Sequence, residues 1–541
     1  MIPEYVLVFP IVLPLLFGVL TQIFSRYRYL RNGISVVGSI LVVGSTLAIA
    51  GRVSEHGRAV YYLGGELLSD GGLDKVHLAS AGSHVSSSGG AGSIPLPYGI
   101  LLEIDGLSAF MMAFSSFVLL MCLLYSLSSI SQRSQRISYH TLWQFMTAGV
   151  MGAFSTGDLF NLFVWFEVLL MSSYVLVVLY GSPESTRSGF YYVGVNLVGS
   201  VLMLVSIGGI YAVVGTLNMA GIARRVSDMS GGEVLPIYVV SGLLFIAFLL
   251  KAGAFPFHFW VPEVYPAAPA PVTAALAGVV KKVGVYGLLR VFGTVLSPVG
   301  GLYSKILLVV AAASVVYGGW AAVSRDDVLE VLSYSSIGQV GFILLGVSVG
   351  LAPELPADVR AVGVAAAMVY SFNHSIIKSS LFLFGGILSD AAATTKMKLL
   401  GGVADRSPLL ASVFLFGGLG LIGIPPFNGF FGKLLVFDSG VEAESVAVLA
   451  FALAGAVLTL LYVSRLWMEV FWGETGEATE TLGSPDKFTL APVLVLAGLV
   501  LLTGVFFEPI LDFAIDAGGS AVDTSGYVDA VFGPGNWGGR G

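Results

Sequence analysis

The stretch KAGAFPFHFWVPEVYPAAPAPVTAALAGVVKKVGVYGLLR, residues 251–290, decides the fold. An apolar run ends on Lys251, prolines follow at 256, 262 and 266, and a second apolar run carries Lys281 and Lys282. Proline removes a helical hydrogen bond and clashes with the preceding turn, so a membrane-crossing helix is expected to break here. Irregular backbone at membrane depth is tolerated only where protein or a hydrated cavity surrounds it. A second interruption, GLGLIGIPPFNGFFGK at 418–433, has Gly423, Pro425, Pro426 and Gly429 ahead of Lys433. Two interrupted spans in corresponding positions point to internal inverted repeats.

Outward from these breaks, the chain of 541 residues is 56% hydrophobic and 11% charged. A soluble domain carries about 25% charged residues, so this is an integral membrane protein. Runs of about 20 apolar residues cross about 30 Å of hydrocarbon. Fourteen such spans are predicted, at 2–23, 30–51, 105–129, 139–156, 158–180, 188–214, 235–260, 269–292, 302–323, 327–350, 361–388, 408–437, 446–471 and 489–512. The first has neither a basic head nor a cleavage site and reads as a retained span.

The expected fold is an all-α polytopic membrane protein of about 14 helices with two inverted five-helix repeats, each holding a broken helix. Its parts are two helices and an external Gly/Ser-rich loop (1–104), a third helix (105–138), the repeats (139–292 and 302–472), and a last helix with an external tail (489–541). Five helices per repeat is an odd number, so the second copy runs through the membrane with opposite polarity. Segment 52–98 is expected to be an external loop, poorly ordered at its centre, and the tail VFGPGNWGGRG (531–541) is too glycine-rich for a structure to be predicted there. Arg26, Arg28, Arg31, Arg133, Arg136, Lys396, Lys398 and Arg406 lie in loops assigned to the cytoplasmic side, which places both termini outside.

The net charge of −7 argues against nucleic acid as a partner. The sole cysteine, Cys122, supports no intrachain disulfide or Cys-based metal cluster. No motif for nucleotide binding, hydrolysis or covalent catalysis is present, so no cofactor, metal or enzymatic role is expected.

Function is expected in the ionisable residues within the spans, because each costs about 2.5–3.5 kcal/mol at mid-bilayer on insertion scales. Glu167 needs a cationic neighbour to stay charged, and Lys251 is the expected partner; a structural helix–helix pair is the alternative. Lys251 and His258 share a helical face if Pro256 only kinks the helix, although His258 could equally anchor the broken turn. Lys281 and Lys282 point about 100° apart, so one is expected to join the axis of Lys251 and the other to snorkel or meet a partner subunit. His374 and Lys378, at i and i+4, are expected to meet on one face, as a relay or as a polar helix contact. With Lys433 these groups would form a polar path along the membrane plane, with Ser335, Ser336, Gln339 and Asn373 holding bridging waters.

TGDLFNLFVWFEVLLMSSYVLV (156–177), the stretch at 251–290, LSYSSIGQVGFILLG (332–346), FNHSIIKSSLFLFGG (372–386) and GIPPFNGFFGK (423–433) together resemble the antiporter-like subunits shared by Mrp cation/proton antiporters and complex I. The resemblance covers about 100–470 and is greatest to the D-type Mrp subunit, on the phrase before Glu167, on Gln339 and on Lys433. It implies that Glu167 and Lys251 form a coupling pair, that Lys282 and Lys433 are the lysines of spans eight and twelve, and that His374 and Lys378 belong to the polar part of span eleven. Lys281 stands at a position usually uncharged. Leu329 and Glu330 replace residues that are commonly basic in the family, which puts a cytoplasmic contact in doubt.

The function the resemblance implies is proton translocation within a multisubunit Mrp-type Na+/H+ antiporter of a prokaryotic cytoplasmic membrane, beside partner subunits and lipid. The same module in a redox-driven pump is the alternative. A stand-alone solute transporter and a purely structural subunit are remoter readings, since the buried groups are mostly titratable and spread along the chain.

Overall fold

The structure is a computed structural model that describes residues 4–63, 100–179 and 181–534. It is mostly helical, and each predicted span overlaps helix over most of its described length. Twelve helices among the described residues are long and apolar enough to cross a membrane. In chain order, α1 (Phe9–Ile23) and α2 (Arg28–His56) lead to strands β1 (Ala59–Leu63) and β2 (Ile100–Ile104). Then come α3 (Gly106–Ser129), α4 (His140–Ser155), α5 (Leu159–Val177), α6 (Pro183–Val214) and α7 (Leu235–Ala252). Next are α8 (Ala270–Val295), α9 (Gly300–Val323), α10 (Val328–Gly350) and α11 (Ala357–Ala392). The chain closes with α12 (Pro408–Ile422), α13 (Gly429–Glu442), α14 (Val446–Phe471), α15 (Lys487–Val505), α16 (Glu508–Val522) and α17 (Thr524–Phe532).

Both expected breaks occur, and both are sharper than kinks. Helix α7 stops at Ala252 because Gly253 takes φ +66°, a left-handed cap that glycine adopts without a Cβ penalty. Helix α12 ends in the same way at Gly423, φ +85°. The freed backbone groups find partners: Phe255 N donates to Ser314 Oγ at 3.0 Å, and Trp260 Nε1 donates to Leu250 O at 3.0 Å. At the second break, Asn373 Nδ2 donates to Asn428 O at 2.7 Å. Side chains on neighbouring helices thus do what water cannot do at that depth.

Helix α8 lies at the centre. Every residue of its hydrophobic window is buried, whereas α1, α2 and α14 turn most of theirs outward. Two glycines permit its close packing. A Cβ on Gly284 would lie 2.7 Å from Ala252 N on α7, and one on Gly278 would overlap Ser379 Oγ on α11. Helix α8 also widens to π geometry at Leu276–Val280 and Leu288–Val295, on either side of the two lysines. Each π-turn shifts the residues after it around the axis, so the ideal helical spacing does not fix where those side chains point.

Three local features differ from expectation. Residues 59–63 of the segment expected to be a loop pair antiparallel with 100–104, with Val60 opposite Glu103; residues 64–99 lie outside the described residues. The last span ends at Val505 rather than at 512, and two further helices, α16 and α17, follow it. Arg58 ties that end to the hairpin through a 3.2 Å ion pair with Asp523. Of the glycine-rich tail, Val531 and Phe532 complete α17, and 535–541 lie outside the described residues.

Candidate functional site

Asp158 starts α5 by accepting a hydrogen bond from Asn161 N at 2.8 Å, which sets the rotation that sends Glu167 towards α6. Glu167 accepts a hydrogen bond from Ser200 Oγ on α6. Lys251, in the last turn of α7, donates to the same Ser200 Oγ at 3.4 Å and to Asn196 O at 3.3 Å. The expected acid–lysine pair is therefore bridged: Ser200 stands between the two groups, and no direct ion pair forms between them. Sequence reasoning misses Asn196 and Ser200, one turn apart on α6; a polar i, i+4 pair inside an apolar span is the signal that marks them.

His258 does not share a face with Lys251. The helix has already ended, and the imidazole packs with ring centroids 5.3 Å from Phe255 and 4.4 Å from Tyr317. This favours the anchoring alternative, since the aromatic packing fixes the broken turn.

Neither lysine of α8 snorkels; both are fully buried. Lys281 turns to the α7 break, where its Nζ would lie 3.3 Å from a Cβ on Gly253, and it donates to Ser336 O on α10 at 3.4 Å. Lys282 turns to α11: its Nζ lies 2.6 Å from His374 Nδ1 and donates to Ala277 O at 2.5 Å. An ammonium has no acceptor lone pair, so with a charged Lys282 the Nδ1 of His374 must accept and the imidazole must be neutral.

His374 and Lys378 share a helical face but do not bond each other. Lys378 donates to Leu332 O at 2.9 Å and to Ser335 Oγ. The expected i, i+4 pair is thus divided, His374 serving α8 and Lys378 serving α10. Gln339 is held inside a polar cluster, donating to Thr459 and Tyr462 and accepting from Tyr370 Oη at 2.5 Å. Lys433 reaches back across the second break to donate to Ile422 O at 2.7 Å, with its Nζ 5.1 Å from the Phe342 ring.

The residues form separate local contacts: Glu167, Ser200 and Lys251 together, Lys281 beside the first break, Lys282 with His374, Lys378 with Ser335, and Lys433 at the second break. The groups need intervening carriers, because direct bonds join them only in pairs. Buried lysines whose partners are hydroxyls, carbonyls or an imidazole, without a carboxylate in contact, suit uptake and release of protons better than permanent charge.

The pattern of the NADH:quinone oxidoreductase/Mrp antiporter transmembrane family matches residues 156–459, the region that contains all these groups. The D-type subunit of the Na(+)/H(+) antiporter of Alkalihalophilus pseudofirmus is 32% identical over 527 residues, covering 97% of this chain and 98% of that protein. Among solved structures, a chain of the Mrp complex from Dietzia sp. DQ12-45-1b superposes with a TM-score of 0.84 at 26% identity, over 98% of this chain and 100% of that one. A chain of the membrane-bound sulfane sulfur reductase, an archaeal respiratory membrane complex, gives 0.81 at 25% identity, over 98% and 100%. The motifs, the two broken helices and the whole-chain similarity agree, and the chain belongs to the NADH:quinone oxidoreductase/Mrp antiporter transmembrane family.

Proposed function

We propose that this chain is a proton-translocating subunit of a multisubunit Mrp-type Na+/H+ antiporter in a prokaryotic cell membrane. The observation that carries the reading is the bridged pair: one hydroxyl, Ser200 Oγ, donates to Glu167 while it accepts from Lys251. A proton gained by Glu167 or lost from Lys251 weakens one arm of that bridge and alters the field at the other group. The altered field at Lys251 then changes the proton affinity of Lys281, next to the same helix break. Lys282, His374, Lys378 and Lys433 extend the relay through the second half.

Moving one charge across 100 mV takes about 2.3 kcal/mol, equivalent to a pKa change of less than about two units, so a small rearrangement suffices. In this reading residues 139–292 and 302–472 are inverted repeats, both termini lie outside, and the partners are the other antiporter subunits and the surrounding lipid. The cation site need not lie in this chain, since its spans carry no cluster of Asp and Glu among the described residues.

Na+-dependent ΔpH exchange in everted vesicles of an antiporter-deficient host tests the proposal. Exchange that requires the full set of subunits and disappears with Glu167→Gln supports it; full exchange by this chain alone overturns the multisubunit reading. The similarity to a chain of a respiratory complex favours a second reading, the same module driven by redox subunits. Co-purification with iron–sulfur or flavin proteins, and no exchange from the assembled subunits, would select that reading.

A further inference from the structure

A second buried polar cluster, away from the lysine series, occupies the face that carries the hairpin and the C-terminal helices. Glu103 is the last residue but one of β2, Asp105 caps α3, and Arg290 lies near the end of α8; all three side chains are at most 1% exposed. Arg290 Nη2 donates to Asp105 Oδ1 at 2.5 Å, which balances one carboxylate with the one guanidinium. Glu103 is left over. Neither of its oxygens has a hydrogen-bond partner of normal geometry among the described residues, and Asp105 Oδ2 and Arg290 Nη1 are also open. The next cation, Arg58, is taken by Asp523. Two buried carboxyls share one available guanidinium, so a single proton on Glu103 brings the cluster to neutrality.

Arg58, while paired with Asp523, adds a further positive field at Glu103, and Asp105 adds a negative one. Tyr527 on α17 directs its hydroxyl at Glu103, which favours the carboxylate, and the same oxygen lies 3.8 Å from Met219 Sδ. Tyr62 on β1 also feels the carboxylate. The α4–α5 loop contributes Gly157, whose absent Cβ leaves 3.3 Å to the Cβ of Glu103, and Asp158 in the same loop is occupied in capping α5. Burial, opposed by Arg290, lifts the Glu103 carboxyl to about 8.

The cluster connects both ways. Towards the lysines, Arg290 Nε donates to Tyr286 Oη at 3.3 Å, Tyr286 bonds Ser108 Oγ at 2.9 Å and Phe154 O at 3.0 Å, and Lys282 lies one turn before Tyr286 on α8. Towards the surface, a cavity of about 200 Å³ lined by Arg58, Gly106, Asp516 and Ser520 reaches the residue next to Asp105. We propose that Glu103 is the proton-exchange group of this face, passing protons between the Lys282 column and water on the hairpin side. Protonation forms one O–H bond at Glu103 with a proton taken from water or hydronium, and deprotonation returns it; no electrons move.

The proposal rests on the proton-translocation reading, and its test separates the two. The complete assembled complex is reconstituted in liposomes, pH is stepped on one side at a time, and infrared difference spectra follow the carboxylic-acid carbonyl band. The expected band titrates near pH 8 from the hairpin side only. It is absent in Glu103→Gln, whose exchange rate falls by roughly a hundredfold. Should that variant fail to assemble, Glu103→Asp keeps the band at a shifted frequency. A band unchanged by both variants, a response only from the opposite face, or wild-type exchange by Glu103→Gln overturns the proposal. A titrating Glu103 band in an assembled complex that exchanges no cation sustains this site and overturns the antiport reading instead.

Discussion

Lys282 Nζ lies 2.6 Å from His374 Nδ1, a contact across 92 positions that joins α8 of the first predicted repeat to α11 of the second. Two basic groups at that separation cannot both be cationic without strong repulsion. A proton added to His374 therefore favours the loss of one from Lys282.

The contact predicts a strong dependence on the imidazole. His374→Ala leaves Lys282 with Ala277 O alone, and transport should fall to background with the complex still assembled. The lost charge-assisted hydrogen bond should cost about 1.5–3 kcal/mol of stability. Vesicle exchange and thermal unfolding in detergent, run on the same preparation, check both parts.

Ser200 should matter more than a hydroxyl inside a span ordinarily does. Ser200→Ala removes the shared partner of Glu167 and Lys251, so exchange should drop by about 10- to 100-fold, the equivalent of one hydrogen bond to a charged group. Ser200→Thr keeps the oxygen and should retain most activity. Equal rates for the Ala variant and wild type would show that the bridge carries no coupling.

Gly284 should tolerate no side chain. Its Cβ would meet Ala252 N and Phe248 O, both at 2.7 Å, and backbone cannot move aside as a side chain can. Gly284→Val should destabilise by about 1–3 kcal/mol or more and displace α8 from the α7 break. Reduced yield and a lower unfolding temperature are the expected readings, with Gly33→Ala, where nothing lies within 4 Å, as the control.

The fully buried Arg290–Asp105 pair gives a sharper signature. Arg290→Met should cost about 3–5 kcal/mol, because it leaves Asp105 buried and unpaired. Adding Asp105→Asn to the same chain should recover part of the loss. A double mutant as unstable as the sum of the singles would mean that the pair is not coupled.

At the surface, Asp326 accepts from Arg465 at 2.6 Å and lies 3.6 Å from Lys398. The hydrogen bond from Arg465, then the charge of Lys398, hold its carboxyl below the usual aspartate value of 3.8. A depressed folded-state pKa gives stability that is present above the unfolded value and lost as pH falls through the folded one. Asp326→Asn should therefore lower the unfolding temperature at pH 7 and make less difference in acid, once the pH has fallen through the lowered folded-state value. Unfolding scans at neutral and acid pH decide it.

Much of this is legible in the chain itself. Hydropathy is a local sum, so the spans, the prolines and glycines that end α7 and α12, and the lysines within them can be placed from sequence alone. Partner choice cannot. His374 and Lys378 satisfy the i, i+4 rule, yet each bonds a different helix, because Lys282 on α8 takes the lone pair of His374 Nδ1 while Leu332 O and Ser335 Oγ on α10 accept from Lys378. Helical spacing leaves one of Lys281 and Lys282 off the axis; the close approach of α8 to α7 at Gly284 and the π-turns flanking the lysines bury both of them. Glu103 reads as part of the segment before span three and Asp105 as the start of that span, until β1, from the other side of residues 64–99, pairs with β2. Sequence determined which groups lie in the membrane, because transfer free energy depends on composition over about 20 residues. Tertiary structure decided which groups touch, because hydrogen bonds depend on helix rotation and on residues far apart in the chain.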